Sequence, residues 1–109
     1  MKYKLKFTPA AIQDLDNVYD SVLEASKDTK TAEKYLKEFM ELIQSKKTFP
    51  FSAPLVDFYD LVTDIRHISY KAYIAFYRVV DKTIEVLRIL PAKSDYIKVL
   101  TDKKVITKW

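Results

Sequence analysis

Two apolar runs with two polar residues between them constrain this chain more than any other feature. Residues 72–80 read Ala-Tyr-Ile-Ala-Phe-Tyr-Arg-Val-Val, and residues 83–90 read Thr-Ile-Glu-Val-Leu-Arg-Ile-Leu. Segments this short and this continuously apolar are expected to be central strands covered on both faces. Asp81-Lys82 is then the turn between them. Pro91 ends the second run, because proline cannot donate to a ladder.

The remaining elements must supply the two covers. Lys2, Lys4 and Lys6 alternate with Tyr3, Leu5 and Phe7, which is a strand with one wet face. Thr8-Pro9 marks a helix start, with Thr8 as N-cap and Pro9 at the first helical position. Ile12, Leu15, Tyr19 and Val22 follow as an apolar stripe. Asp14, Asp16, Asp20 and Glu24 fall off that stripe and read as a solvated face. A polar break at residues 26–31 precedes a second helix with Ala32, Tyr35, Leu36, Phe39, Met40 and Ile43 at helical spacing. Residues 48–61 contain Pro50 and Pro54 and read as an irregular crossing segment. A strand over residues 62–70 and a short helix over about residues 93–100 complete the order β-α-α-β-β-β-(α). Helices followed by strands imply an α+β domain, a helical hairpin packed on a mostly antiparallel sheet.

Length and composition bound the function. The 109 residues suit one domain, expected over residues 1–100, with a basic tail at 101–109. The chain has no cysteine, so a disulfide scaffold, thiolate metal ligands and a cysteine nucleophile are excluded. It also has no glycine, which excludes glycine-rich phosphate loops and dinucleotide fingerprints. No cofactor or metal is expected. No apolar run approaches a membrane span, and the amino terminus lacks the apolar core of a signal peptide, so a cytoplasmic protein is expected. The net charge is +4, unevenly spread: residues 1–65 carry 9 basic and 11 acidic groups, residues 66–109 carry 10 and 4. Such asymmetry points the second part of the chain at a polyanion or an acidic partner.

The strand sequences also carry a family resemblance. Arg66-His67-Ile68, Tyr73-Ile74-Ala75-Phe76-Tyr77-Arg78, Val86-Leu87-Arg88-Ile89-Leu90 and Lys93-Ser94-Asp95-Tyr96 occur in the order seen in the RelE/ParE toxins of type II toxin–antitoxin systems. The opening Thr8-Pro9-Ala10-Ala11, followed by Asp14-Leu15, is similar too. The resemblance spans about residues 3–100. One departure is that Pro91-Ala92-Lys93-Ser94 stands where many relatives have a glycine among arginines.

The resemblance implies an antitoxin protein as partner and one of two activities. RelE-like toxins cut messenger RNA on the ribosome; ParE-like toxins inhibit DNA gyrase by binding. A third possibility is an inactive relative that only binds the antitoxin. The first is the leading expectation from sequence. Cleavage through the 2′-hydroxyl needs proton transfer and cations for the developing charge, but no metal. Arg66 and Arg88 are the candidate catalytic cations, because guanidinium binds phosphate bidentately. Tyr96 is the candidate for proton transfer. Lys71, Lys93 and Arg78 are candidate nucleic-acid contacts. His67, the sole histidine, is a poor catalytic or metal candidate with no partner at useful spacing. Tyr70, Tyr73 and Tyr77 read as packing residues. A gyrase-directed mechanism would instead use the helical hairpin as a docking surface.

Overall fold

The computed structural model describes residues 2–56 and 63–100. In chain order the elements are β1 (Lys4–Phe7), α1 (Pro9–Ser26), α2 (Thr29–Gln44), a 3-10 turn (Ser45–Lys47), β2 (Arg66–Tyr70), β3 (Tyr73–Val80), β4 (Thr83–Pro91) and α3 (Tyr96–Leu100). The expected α+β order holds. The strands form one sheet in the order β1-β4-β3-β2. β1 runs parallel to β4, and the other pairs are antiparallel. Val62, the remainder of the crossing segment from residue 57, and the tail 101–109 lie outside the described residues.

The two apolar runs are the central strands, covered on both sides. One face carries Ile68, Ala75, Tyr77, Ile84, Val86 and Ile89 against Ala11, Val18, Phe39 and Ile43 of the helices. The other carries Ile74, Phe76, Leu87 and Leu90 against Val56, Ile65 and Leu100. A bulge reconciles these two sets on β4. Phe76 pairs with Arg88 and Tyr77 with Val86, so Leu87 has no cross-strand partner. The extra residue lets Val86 and Ile89 share one face although they are three apart, which strict alternation forbids.

Helix α1 is stapled to the sheet at its first residue. The Thr8 side chain accepts from the Ala11 N–H at 3.1 Å, as an N-cap does, and donates to the Leu87 carbonyl at 2.7 Å. The buried line on α1 is Ala11, Asp14 and Val18. Ile12, expected in the apolar stripe, is 54% exposed. The polar break between the helices is shorter than its composition suggests. Lys27 alone turns the chain in the left-handed conformation (φ 58°), with its N–H on the Leu23 carbonyl. Asp28 caps α2, accepting from the Lys30 N–H and the Thr31 hydroxyl. The rest of the run is helix.

The turn chemistry is done without glycine. Lys71, Asp81 and Lys82 have positive φ (53°, 47° and 62°). Two consecutive left-handed residues are what a two-residue type I′ hairpin turn requires. Non-glycine residues in this region cost on the order of 1 kcal/mol each, so the packing of β3 on β4 must hold the turn closed.

The described part of the crossing segment is a strap over the β2 edge. Leu55 bridges Arg66, the Val56 N–H donates to the Ile65 carbonyl, and the His67 N–H donates to the Pro54 carbonyl. The buried Tyr77 hydroxyl donates to the Pro50 carbonyl at 2.6 Å. This bond joins a core strand to the strap. Tyr77→Phe should therefore cost about 1–2 kcal/mol, because the Pro50 carbonyl loses its donor. A shift of the urea midpoint at unchanged slope measures it.

Candidate functional site

The residues singled out from sequence do not gather into one cluster. Arg66 and Arg88 occupy adjacent rungs of the ladder on two strands separated by β3: Arg66 pairs with Tyr77, and Phe76 pairs with Arg88. The two guanidinium groups reach in opposite directions. Arg66 reaches the strap at the β2 edge, where Nη1 donates to the Ala53 carbonyl at 2.7 Å and to the Phe51 carbonyl at 3.2 Å. Its guanidinium carbon lies 5.1 Å from the centre of the Phe51 ring, a cation–π contact.

Arg88 reaches the opposite way, to Asp14. Strand β1 stops at Phe7, opposite Val86, while β4 runs on to Pro91. Along the uncovered stretch the Asp14 carboxylate does the work of a missing strand. It accepts from the Ile89 N–H at 2.9 Å and from Arg88 Nε at 2.7 Å and Nη2 at 3.1 Å. Asp14 is 5% exposed. The bidentate bond to Asp14 drives the Arg88 pKa above its ordinary value, ahead of the opposing effect of burial. The reading of Asp14 as part of a solvated acidic face is thus corrected: it holds an arginine and an orphan amide. A signal was present in the sequence, because Ala11, Asp14 and Val18 lie at steps of three and four, a helix stripe one position off the obvious one.

The other candidates are also placed. Arg78 is buried, and its Nε lies 3.1 Å from an Asp64 carboxylate oxygen. Lys71, in the β2–β3 turn, projects its ammonium over the rings of Tyr35 and Tyr70 at 5.4 and 5.3 Å. The Tyr70 hydroxyl donates to Glu38 of α2 at 2.7 Å. Burial and then that bond push the phenol up to about 12, so it stays a donor, and the same bond lowers the Glu38 pKa. Sequence reasoning missed this cluster, which pins the β2–β3 turn to α2. Tyr96 opens α3 and lays its ring 5.2 Å from that of Phe76, tilted by 35°. Lys93 is exposed.

His67 is half-buried opposite Phe76 on β3. Burial holds the imidazole below its ordinary pKa. Among the described residues no group of three or more histidines, cysteines or carboxylates could hold a metal, and no helix is long and apolar enough to cross a membrane.

The arrangement makes two predictions. Asp14→Ala strands both a partly buried guanidinium and the Ile89 amide, so it should lower stability by about 3 kcal/mol in a denaturant titration. For His67 the unfolded chain takes up a proton first, from about pH 6.5 downward. Stability should fall as pH drops through that value until the folded imidazole also protonates. His67→Gln should flatten this part of the profile, read as urea midpoints at pH 7 and pH 5.

The profile of a family described as the ParE toxin of the type II toxin–antitoxin system parDE matches residues 5–96. No curated protein sequence gives a significant match. Among solved structures, the chain is similar to one of the chromosomal ParDE toxin–antitoxin system of P. aeruginosa. The identity is 24% and the TM-score 0.70, over 84% of this chain and 98% of that one. It is similar to a chain of the RelBE2 toxin–antitoxin complex of Mycobacterium tuberculosis at 19% identity and TM-score 0.59, over 84% and 99%. It is similar to an arginine double mutant of E. coli toxin RelE in the free state at 17% identity and TM-score 0.60, over 97% and 100%. These likenesses are of fold.

Proposed function

The chain belongs to the ParE toxin family of type II toxin–antitoxin systems, and from that premise we propose that it arrests growth by binding DNA gyrase rather than by cleaving messenger RNA. A cognate antitoxin protein is its neutralising partner. The observation that carries the reading is the occupation of the two strand arginines. Cleavage at phosphate needs preorganised cations aimed at the charge that develops. Arg88 is neutralised by the Asp14 carboxylate, and Arg66 is bound to two carbonyls of the strap. Each faces its own edge of the sheet. Both arginines are thus engaged by the fold's own acceptors, which supports a binding mechanism over RNA cleavage.

Support also comes from the family match and from the ParDE structure, whose TM-score of 0.70 exceeds the 0.60 of the RelE structure. The helical hairpin and sheet supply a rigid body, and a binding toxin needs no more chemistry than a complementary surface. The cytoplasm is where gyrase and antitoxin would be met.

The test runs two assays on one preparation. Purified protein should inhibit supercoiling of relaxed plasmid by gyrase, and addition of the antitoxin should restore it. The same protein in a cell-free translation reaction should leave the message intact by primer extension. Ribosome-dependent cuts, with supercoiling untouched, would overturn the proposal in favour of the RelE-like activity. If neither assay responds while antitoxin still binds, the chain is an inactive relative and the proposal is equally wrong.

A further inference from the structure

We infer that the edge of β1 is a binding surface for single-stranded nucleic acid, separate from the strand arginines and independent of the gyrase reading. The fold gathers there lysines that are far apart in sequence. The Tyr3 N–H donates to the Lys47 carbonyl at 2.8 Å on the outer side of β1, and the Lys4 N–H donates to the Lys82 carbonyl at 3.0 Å on the inner side. The start of β1 thus runs between the 3-10 turn that ends α2 and the β3–β4 turn, each about one strand spacing, roughly 5 Å, away. Lys2, Lys4, Lys46, Lys47 and Lys82 converge on this end of the sheet. None of them makes an ion pair among the described residues. Glu85 faces Lys6 across the ladder, and Asp81 sits in the turn beside Lys82. The local balance stays positive.

Two exposed aromatic residues follow Lys46 and Lys47 in the chain. Phe49 and Phe51, directly after the 3-10 turn, are 68% and 58% exposed. Tyr3 sets its ring edge-on to Phe51 at 6.4 Å. Arg66 also packs on Phe51, and Lys46 fixes the start of the strap through Ser52 at 2.9 Å. Large exposed aromatics are unfavourable in water, and here two of them follow Lys46 and Lys47 at the end of the sheet where lysines with no ion pair among the described residues gather. Phosphates accept the lysines, and unpaired bases stack on the rings. A duplex keeps its bases stacked and offers the rings nothing, so the surface fits a single strand. DNA and RNA share this chemistry.

The experiment titrates the full chain into fluorescein-labelled 12-nucleotide single strands, one DNA and one RNA, and reads anisotropy at several salt concentrations. Binding is expected to weaken with salt. Lys4→Gln/Lys47→Gln should reduce the slope of log K against log salt by about 1.4, since each phosphate contact on a single strand contributes about 0.7. Phe49→Ala should weaken binding about fivefold or more at fixed salt. Lys30→Gln/Lys34→Gln, at the other end of the roughly 24 Å length of α2, is the charge-matched control and should leave affinity and slope as they are. Unchanged circular dichroism spectra establish that each variant is folded. A preference between the DNA and RNA strands identifies which source is used. Absence of binding at low salt would overturn the inference, as would equal losses in the edge and control variants. So would a duplex of the same length binding as tightly. None of these results bears on the supercoiling assay, so the two readings fail separately.

Discussion

The Asp14 carboxylate at the uncovered end of β4 is the interaction on which the rest of the architecture depends. A short parallel strand, β1, covers only the first half of β4. Past its end, the amide of Ile89 faces a helix instead of a strand. A buried amide without a partner costs about 1–3 kcal/mol. Asp14 removes that cost, and Arg88 then balances the buried charge that Asp14 introduces. The bulge at Leu87 sits within the same few residues. It turns Ile89 into the helix-side core at the place where the ladder changes partner from strand to side chain. Helix α1, the bulge and the second half of β4 therefore form one unit. The Thr8 side chain, bonded to the Leu87 carbonyl, ties the start of the helix to it.

Much of this was legible. The two apolar runs identify the central strands, because only a strand buried on both faces drops its polar alternation. Thr8 and Pro9 mark the start of α1 to the residue, since capping chemistry is local. What sequence could not show was partnership between distant residues. Asp14 and Arg88 are 74 positions apart. Each alone resembles ordinary surface charge: an aspartate in an acidic run, an arginine in a strand. The same holds for Arg66, whose acceptors are carbonyls of a segment without regular structure. Carbonyls are present in every residue, so no pattern of side chains announces them. The short break at Lys27 was misread for a related reason. Serine, threonine and aspartate signal a loop and a helix cap alike, and the backbone decides which.

A chain without glycine pays for its turns elsewhere. Left-handed conformations at Lys27, Lys71, Asp81 and Lys82 must be held by their surroundings. Each has an identifiable restraint nearby. The Lys27 N–H bonds back to Leu23. Lys71 lies across two tyrosine rings that α2 and β2 hold in place. Asp81 and Lys82 close two of the best-packed strands of the sheet, and the Lys82 carbonyl is bound by Lys4. These turns are consequently parts of the tertiary structure and not independent local motifs.

The same structure divides its cations by kind. All three arginines point into the fold: to Asp14, to Asp64 and to the carbonyls of Phe51 and Ala53. Guanidinium suits these places because it is planar, weakly hydrated and able to satisfy two acceptors at once. The lysines at the β1 edge stay outside, where a strongly hydrated ammonium costs nothing and where charge on an edge strand deters pairing with another chain. The positive charge that a partner can meet is therefore carried by lysine. A surface of this kind attracts polyanions through many weak, salt-sensitive contacts, whereas the guanidinium forks hold the fold's own carboxylates and carbonyls together.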